Sequence, residues 1–142
     1  MDVCIATTDR EIAACYPVLK ELRQDLVEAE FVPKIRGLEK RGYMIAFMTV
    51  AGKPVSVAGF RLGESLAWKR YLYVDDLVTL NQERSKGYGT VMLNWLTTFA
   101  RDKGCSTFHL DSGIQRKDAH RFYEREGMQM ASYHFAKYVK LA

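Results

Sequence analysis

The sequence predicts a mixed α/β domain, with a mostly antiparallel central sheet flanked by helices and one domain spanning residues 1–142. Three observations point there. Apolar runs between residues 43 and 80 are separated by short glycine-bearing turns, the pattern of an antiparallel meander. The last of these runs leads through a glycine turn into apolar residues at helical spacing, and then into another short strand. The chain has 142 residues, 48% of them hydrophobic, enough for one domain with a real core.

The expected order is β-α-α-β-β-β-α-β-α-β(-β). Val3 to Ala6 reads as a strand. Thr8 and Glu11, three apart, form a capping-box pattern, and Ile12, Cys15, Leu19 and Leu22 continue at helical spacing. Pro17 lies inside this segment, which predicts a kink or break. Residues 25–41 read as a second helix with a charged face, ending near Gly42. Tyr43 to Val50 is the next strand, Gly52-Lys53-Pro54 a turn, and Val55 to Leu62 the returning strand. Gly63 to Ser65 reads as another turn, and Trp68 to Leu80 as a long strand. Val91, Met92, Trp95, Leu96, Phe99 and Ala100 define a helix over 87–103, which Gly104 stops. Cys105 to Leu110 is a strand. A helix joins it to the preceding strand, so the two should run parallel. Residues 117–126 form a short helix with Ala119, Phe122 and Tyr123 on one face, and Met128 to Val139 holds the last strand or strand pair.

Composition narrows the classes of function. Net charge is +4 and the pI about 9.0. That suits an anionic small ligand, and no concentrated Lys/Arg tract argues for specific nucleic-acid binding. Cys4, Cys15 and Cys105 lack C-x-x-C spacing, and His109, His120 and His134 lack metal-ligand spacing, so no metal is expected. No run approaches the roughly 20 apolar residues of a membrane span, and residues 1–8 lack a signal-peptide core. The cytoplasm is the expected compartment, with no membrane partner.

The chemistry centres on Arg84-Ser85-Lys86-Gly87-Tyr88-Gly89, between a strand and a helix start. The first N–H groups of a helix have no intrahelical partner and carry partial positive charge, which favours a phosphate. Gly87 and Gly89 let the backbone approach without an intervening Cβ, and Arg84 and Lys86 add charge. The Walker pattern is absent, and position 92, where a dinucleotide fingerprint needs its third glycine, is methionine.

R-x-x-G-x-G in this position resembles the acyl-CoA loop of the GNAT superfamily of N-acetyltransferases. Ala119-His120-Arg121-Phe122-Tyr123-Glu124-Arg125-Glu126-Gly127-Met128 resembles the same family's A-x-x-x-Y-E-x-x-G-F signature, with Met128 in place of the usual Phe. The distance between the segments and the element order agree, so the resemblance spans nearly the whole chain. It implies acetyl-CoA as the donor. The backbone of Leu77, Val78 and Thr79 would bond the pantetheine arm, and the loop Arg84, Ser85, Lys86, Gly87, Tyr88, Gly89 and Thr90 the pyrophosphate. One departure is Arg116, which stands where many members carry an Asn that contacts the cofactor. Either Gln115 or Ser112 replaces that amide, or Arg116 makes a charged contact of its own.

The resemblance also implies direct transfer of acetyl to a primary amine in a ternary complex. A neutral amine must attack, the thioester oxygen must be stabilised, and the thiolate leaves more easily when protonated. Asp75 and Asp76, in the strand beside the expected thioester, are candidates to take the amine proton or bind the amine. Strand alternation predicts that only one of them faces the cleft. A solvated carboxylate at a sheet end is the plain alternative. Tyr123, with an ordinary pKa of about 10, is the candidate acid for the thiolate and a cofactor contact; the plain alternative is packing beside Phe122. Asp111, Ser112 and Gly113 follow a strand and would line the cleft. Asp25, Glu28 and Glu30 lie where the acceptor site is often shaped in this family, and with the Asp pair suggest a cationic small amine. A protein lysine or N-terminal acetyltransferase, and a non-catalytic acyl-CoA-binding module, are the alternative functions. Similar proteins are often homodimers, with the last strand as the expected contact.

Overall fold

The computed structural model describes residues 2–140. The chain divides into two compact units, Met1–Leu110 and Asp111–Ala142. The first contains β1 (Val3–Ile5), α1 (Asp9–Ala14), α2 (Tyr16–Leu22), α3 (Glu28–Glu39), β2 (Met44–Val50), β3 (Lys53–Ser65), β4 (Lys69–Thr79), α4 (Tyr88–Asp102) and β5 (Thr107–Leu110). The sheet order is β1-β2-β3-β4-β5. All neighbours are antiparallel except β4 and β5, which run parallel, as the helical connection requires.

Local chemistry explains the boundaries. Thr8 Oγ1 accepts the Glu11 N–H at 3.1 Å, and the Glu11 carboxylate accepts the Thr8 N–H at 3.0 Å, so the capping box starts α1. Pro17 does break the helix: α1 stops at Ala14 and α2 begins with Pro17 in its first turn, where a missing N–H is harmless. The β2–β3 turn falls at Ala51–Gly52, both at positive φ, rather than at Gly52–Pro54. Positive φ at both central residues matches the twist of a tight hairpin. Lys53 and Pro54 instead open β3, where a register shift near Thr49 and Pro54 accommodates the absent N–H. The turn expected at Gly63–Ser65 is strand. Gly63 lies opposite Tyr71, and a Cβ there would come within 2.5 Å of the Tyr71 ring, so this glycine makes room for an aromatic side chain.

The sheet carries apolar side chains on both faces. Ile45, Phe47, Val57 and Val78 pack with Ile12, Val18, Leu19, Phe31 and Ile35 of α1–α3. On the opposite face Phe60 meets Trp95 and Phe99 of α4 edge-on, at ring-centroid distances of 5.9 and 5.4 Å. Each such aromatic pair adds roughly 0.5–1.5 kcal/mol beyond its area burial.

One irregularity in β4 positions the site. Gly59 pairs with Asp76 and Phe60 with Val74, so Asp75 is an extra residue, a β-bulge. Leu72 and Val74, opposite Leu62 and Phe60, face α4. Beyond the bulge the parity inverts, and Asp76 and Val78, opposite Gly59 and Val57, face α1–α3.

The second unit contains α5 (Lys117–Arg125). Residues 128–140 form no strand, contrary to the expectation for Met128 to Val139, and Met130, Tyr133, Phe135, Tyr138 and Val139 are exposed. The apolar positions change parity from 128 and 130 to 133 and 135 and again at 138, so no single face repeats at every second residue.

A Cβ at Gly59 would lie 1.7 Å from the Tyr43 phenol oxygen. Gly59→Ala should destabilise the protein by about 1–3 kcal/mol in urea denaturation. Combining it with Tyr43→Ala should cost less than the sum of the two single changes. Strict additivity would contradict the contact.

Candidate functional site

The bulge changes the expectation for the acidic pair. Asp75 lies two residues from Tyr73, which is opposite Arg61. Arg61 is two residues from Gly59, which is opposite Asp76. Asp75 and Asp76 therefore share the α1–α3 face; strand alternation fails because the extra residue resets it. Neither carboxylate is bare. Asp75 takes two hydrogen bonds from the Arg61 guanidinium, at 2.9 and 3.3 Å, and Arg61 also lies over the Tyr73 ring. Asp76 accepts the Tyr43 hydroxyl at 2.7 Å on one oxygen and Arg23 Nε at 2.8 Å on the other. Arg23 also donates to the Asp75 carbonyl at 2.9 Å.

Tyr43 reaches Asp76 across β3 over Gly59, and it is 8% exposed. Burial, then the Asp76 charge, push its phenol pKa well up, so it remains a hydrogen-bond donor. Tyr43, Gly59, Arg23 and Arg61 were not legible as site residues, because none stands in a motif. Asp25, Glu28 and Glu30 are exposed, whereas Arg23, at the end of α2, reaches β4.

On its other edge β4 opens. Its pairing with β5 ends at Val74 and Leu110, while β4 continues to Thr79. The Leu80 N–H donates to the Val55 carbonyl at 2.8 Å. Continuing the ladder's alternation from that bond turns Val78 toward β3, and the N–H and C=O of Leu77 and Thr79 toward the open edge. The strand then enters a 3₁₀ turn, Asn81–Glu83, whose first N–H is held by the Glu21 carboxylate at 2.8 Å.

The loop that follows leads into an uncapped helix start. Gly87 occupies the N-cap of α4 in the left-handed region, at φ +87°. No side chain caps this end, and no acidic residue lies in its first turn, so the helix dipole is not neutralised there. Ser85 is also left-handed, at φ +64°. Arg84 is exposed, whereas Lys86 is paired with Glu83 at 2.8 Å, so the loop's net positive charge rests on Arg84. Tyr88, Gly89 and Thr90 form the half-buried first turn of α4. A diphosphate fits this chemistry, and the open edge at Leu77 and Thr79 fits an amide-bearing arm.

Within the second unit Arg116 is the exposed N-cap residue of α5, and Tyr123 is half-buried on that helix. Burial raises the Tyr123 pKa, with the Arg116 charge opposing. The Gln115 amide lies against Gly113, and Ser112 Oγ is buried with no hydrogen-bond partner among the described residues. His120 Nε2 pairs with the Gly113 carbonyl at 2.8 Å, and His134 approaches Asp111 at 3.5 Å. Cys15 is fully buried, and burial followed by the Glu11 charge pushes its thiol up to about 12, which leaves it inert as a nucleophile.

Residues 8–128 match the sequence profile of the acetyltransferase (GNAT) family. An uncharacterised N-acetyltransferase of Bacillus subtilis is 35% identical over 135 residues, covering 94% of this chain and 95% of that protein. An aminoalkylphosphonate N-acetyltransferase of Salmonella typhimurium is 38% identical over 64 residues, 45% of this chain and 42% of that protein. Among solved structures, an aminoglycoside N-acetyltransferase in complex with CoA superposes with a TM-score of 0.81 at 11% identity, covering 99% of this chain and 96% of that one. The chain belongs to the GNAT family and is an acyl-CoA-dependent N-acetyltransferase.

The loop's charge arrangement predicts effects of opposite sign. Arg84→Ala should weaken acetyl-CoA binding about two- to fivefold at low salt, and less at high salt. Glu83→Gln frees Lys86 and should tighten binding by a similar factor. Calorimetric titration at two ionic strengths checks both, and two changes of the same sign would contradict the assignment.

Proposed function

We propose that this GNAT acetyltransferase moves acetyl from acetyl-CoA to the primary amine of a small molecule, by direct attack within a ternary complex. The observation that carries the reading is the bulge at Asp75. It sets two carboxylates on one face of β4, immediately before the strand's open edge and the uncapped start of α4. The Asp76 side chain is only 16% exposed, which suits a small amine entering a recess better than a peptide lying across a surface. The relative that acetylates aminoalkylphosphonates supports a small acceptor. Cys15 lies buried in the core, away from any acyl donor, which removes one of the three cysteines from an acyl-enzyme route.

When bound, acetyl-CoA supplies the activated acyl group and a thiolate leaving group. The chain's own residues do the rest. The outward N–H and C=O groups of Leu77 and Thr79 hold the pantetheine arm, and the Leu77 N–H polarises the thioester oxygen. Val78, whose backbone faces β3, contributes packing instead. Arg84, Ser85, Lys86, Gly87, Tyr88, Gly89 and Thr90 hold the pyrophosphate through the uncapped helix start, and Arg116 adds a charged contact. Asp75 and Asp76 orient the amine. Each already accepts hydrogen bonds from an arginine, so the amine proton reaches a carboxylate through water or after an arginine moves. Tyr123 donates a proton to the departing thiolate. One cytoplasmic domain, working as a homodimer, completes the proposal.

Screening primary amines, aminoalkylphosphonates and peptides with acetyl-CoA, read by thiol release and product mass, tests the reading. Turnover confined to peptides, or tight acetyl-CoA binding without turnover, would overturn it. Tyr123→Phe should lower kcat about 10²-fold or more with little change in acetyl-CoA affinity. Because the Tyr123 pKa is raised, its proton is retained as the pH rises. Wild-type kcat should therefore show no loss of the acid below about pH 10. A fall that begins near neutrality, or a Phe variant with wild-type kcat, would remove Tyr123 from the role.

A further inference from the structure

The two groups on Asp76 differ in how easily they can leave. Tyr43 is buried and lies over Gly59, so its hydroxyl has nowhere else to go. The Arg23 side chain is 50% exposed, and its guanidinium already stands half in water. The backbone beneath it is fixed. The Arg23 N–H donates to the Leu19 carbonyl at 2.8 Å, Lys20 Nζ bonds the carbonyls of Gln24 and Leu26, and the Tyr16 hydroxyl donates to Leu26 at 3.2 Å. Arg23 can therefore swing into solvent as a side chain without unfolding the end of α2.

We propose that Arg23 is a displaceable internal cation: it holds the place on Asp76 that the acceptor's ammonium takes, and Tyr43 is the positioning residue that keeps the carboxylate still during the exchange. This rests on the reading of Asp76 as facing the acceptor. The exchange is one cation for another, so the recessed carboxylate is never left unpaired. A neutral acceptor cannot do the same, because it would strip Asp76 of its counter-charge and offer none, and an unpaired charge away from water is strongly disfavoured. Selection for protonated amines thus occurs at binding, through a group that must be expelled. Arg61 is held more firmly than Arg23, by two hydrogen bonds to the Asp75 carboxylate and by the Tyr73 ring beneath it, so the exchange takes place on Asp76.

The test compares butylamine, which is cationic at neutral pH, with trifluoroethylamine, which is neutral there. Arg23→Ala removes the competitor. KM for butylamine should fall about two- to fivefold, the size of a half-exposed ion pair, with kcat retained. KM for trifluoroethylamine should not fall. Millimolar guanidinium should raise the butylamine KM of Arg23→Ala back toward the wild-type value, and Arg23→Lys, which keeps a cation, should resemble wild type. Butylammonium binding is read in parallel from the amide NMR shifts of Tyr43 and Asp76, which need no turnover. Saturation at lower concentration in Arg23→Ala than in wild type supports the exchange even if no thiol is released, an outcome that would sink only the acceptor reading. A raised butylamine KM in Arg23→Ala, insensitivity of that variant to guanidinium, or unchanged butylammonium saturation would each overturn the exchange.

Discussion

A single extra residue in one strand organises the molecule. Asp75 has no counterpart on β3, and the register of β4 inverts around it. Before the bulge, β4 packs Leu72 and Val74 toward α4. After it, Val78 packs into the α1–α3 layer. The inversion brings two consecutive carboxylates to one face, which an unbroken strand cannot do. It also coincides with the end of β5 pairing at Val74. The same few residues therefore gather the two carboxylates and begin the strand's open edge.

The electrostatics follow from that placement. Two carboxylates gathered on a partly buried face repel each other and lose hydration. The fold answers with two guanidinium groups, Arg61 on Asp75 and Arg23 on Asp76, which bring the formal charge of the cluster to zero. Tyr43 adds a neutral donor from beneath, through the space that Gly59 leaves open. An acidic pair in the sequence becomes, in the fold, a formally neutral network whose two guanidiniums stand partly in water.

The sequence made the framework legible where one residue type has one physical meaning. Thr8 with Glu11 marked a helix start, Pro17 a helix break, and the strand–glycine–helix pattern around Gly87 the left-handed start of α4; the family resemblance rested on that loop and on the segment around Tyr123. Two kinds of feature escaped. The bulge has no signature, because nothing in Val74-Asp75-Asp76-Leu77 distinguishes a bulged strand from a regular one. Cross-strand and helix-to-strand contacts such as Gly59 with Tyr43, or Arg23 with Asp76, join residues 16 and 53 positions apart. No local pattern encodes them. Gly63 and Gly52-Lys53-Pro54 show the reverse error, since residues that usually make turns also serve inside strands.

On the reading proposed above, β4 beyond its bulge offers alternate backbone groups to the acyl donor. Amide-resolved hydrogen exchange, with and without saturating acetyl-CoA, tests it most directly. New protection is expected at Leu77, Thr79 and the first turn of α4, with Val78 already protected by β3 in the free protein. Protection gained at Val78 while Leu77 and Thr79 stay unchanged would contradict it.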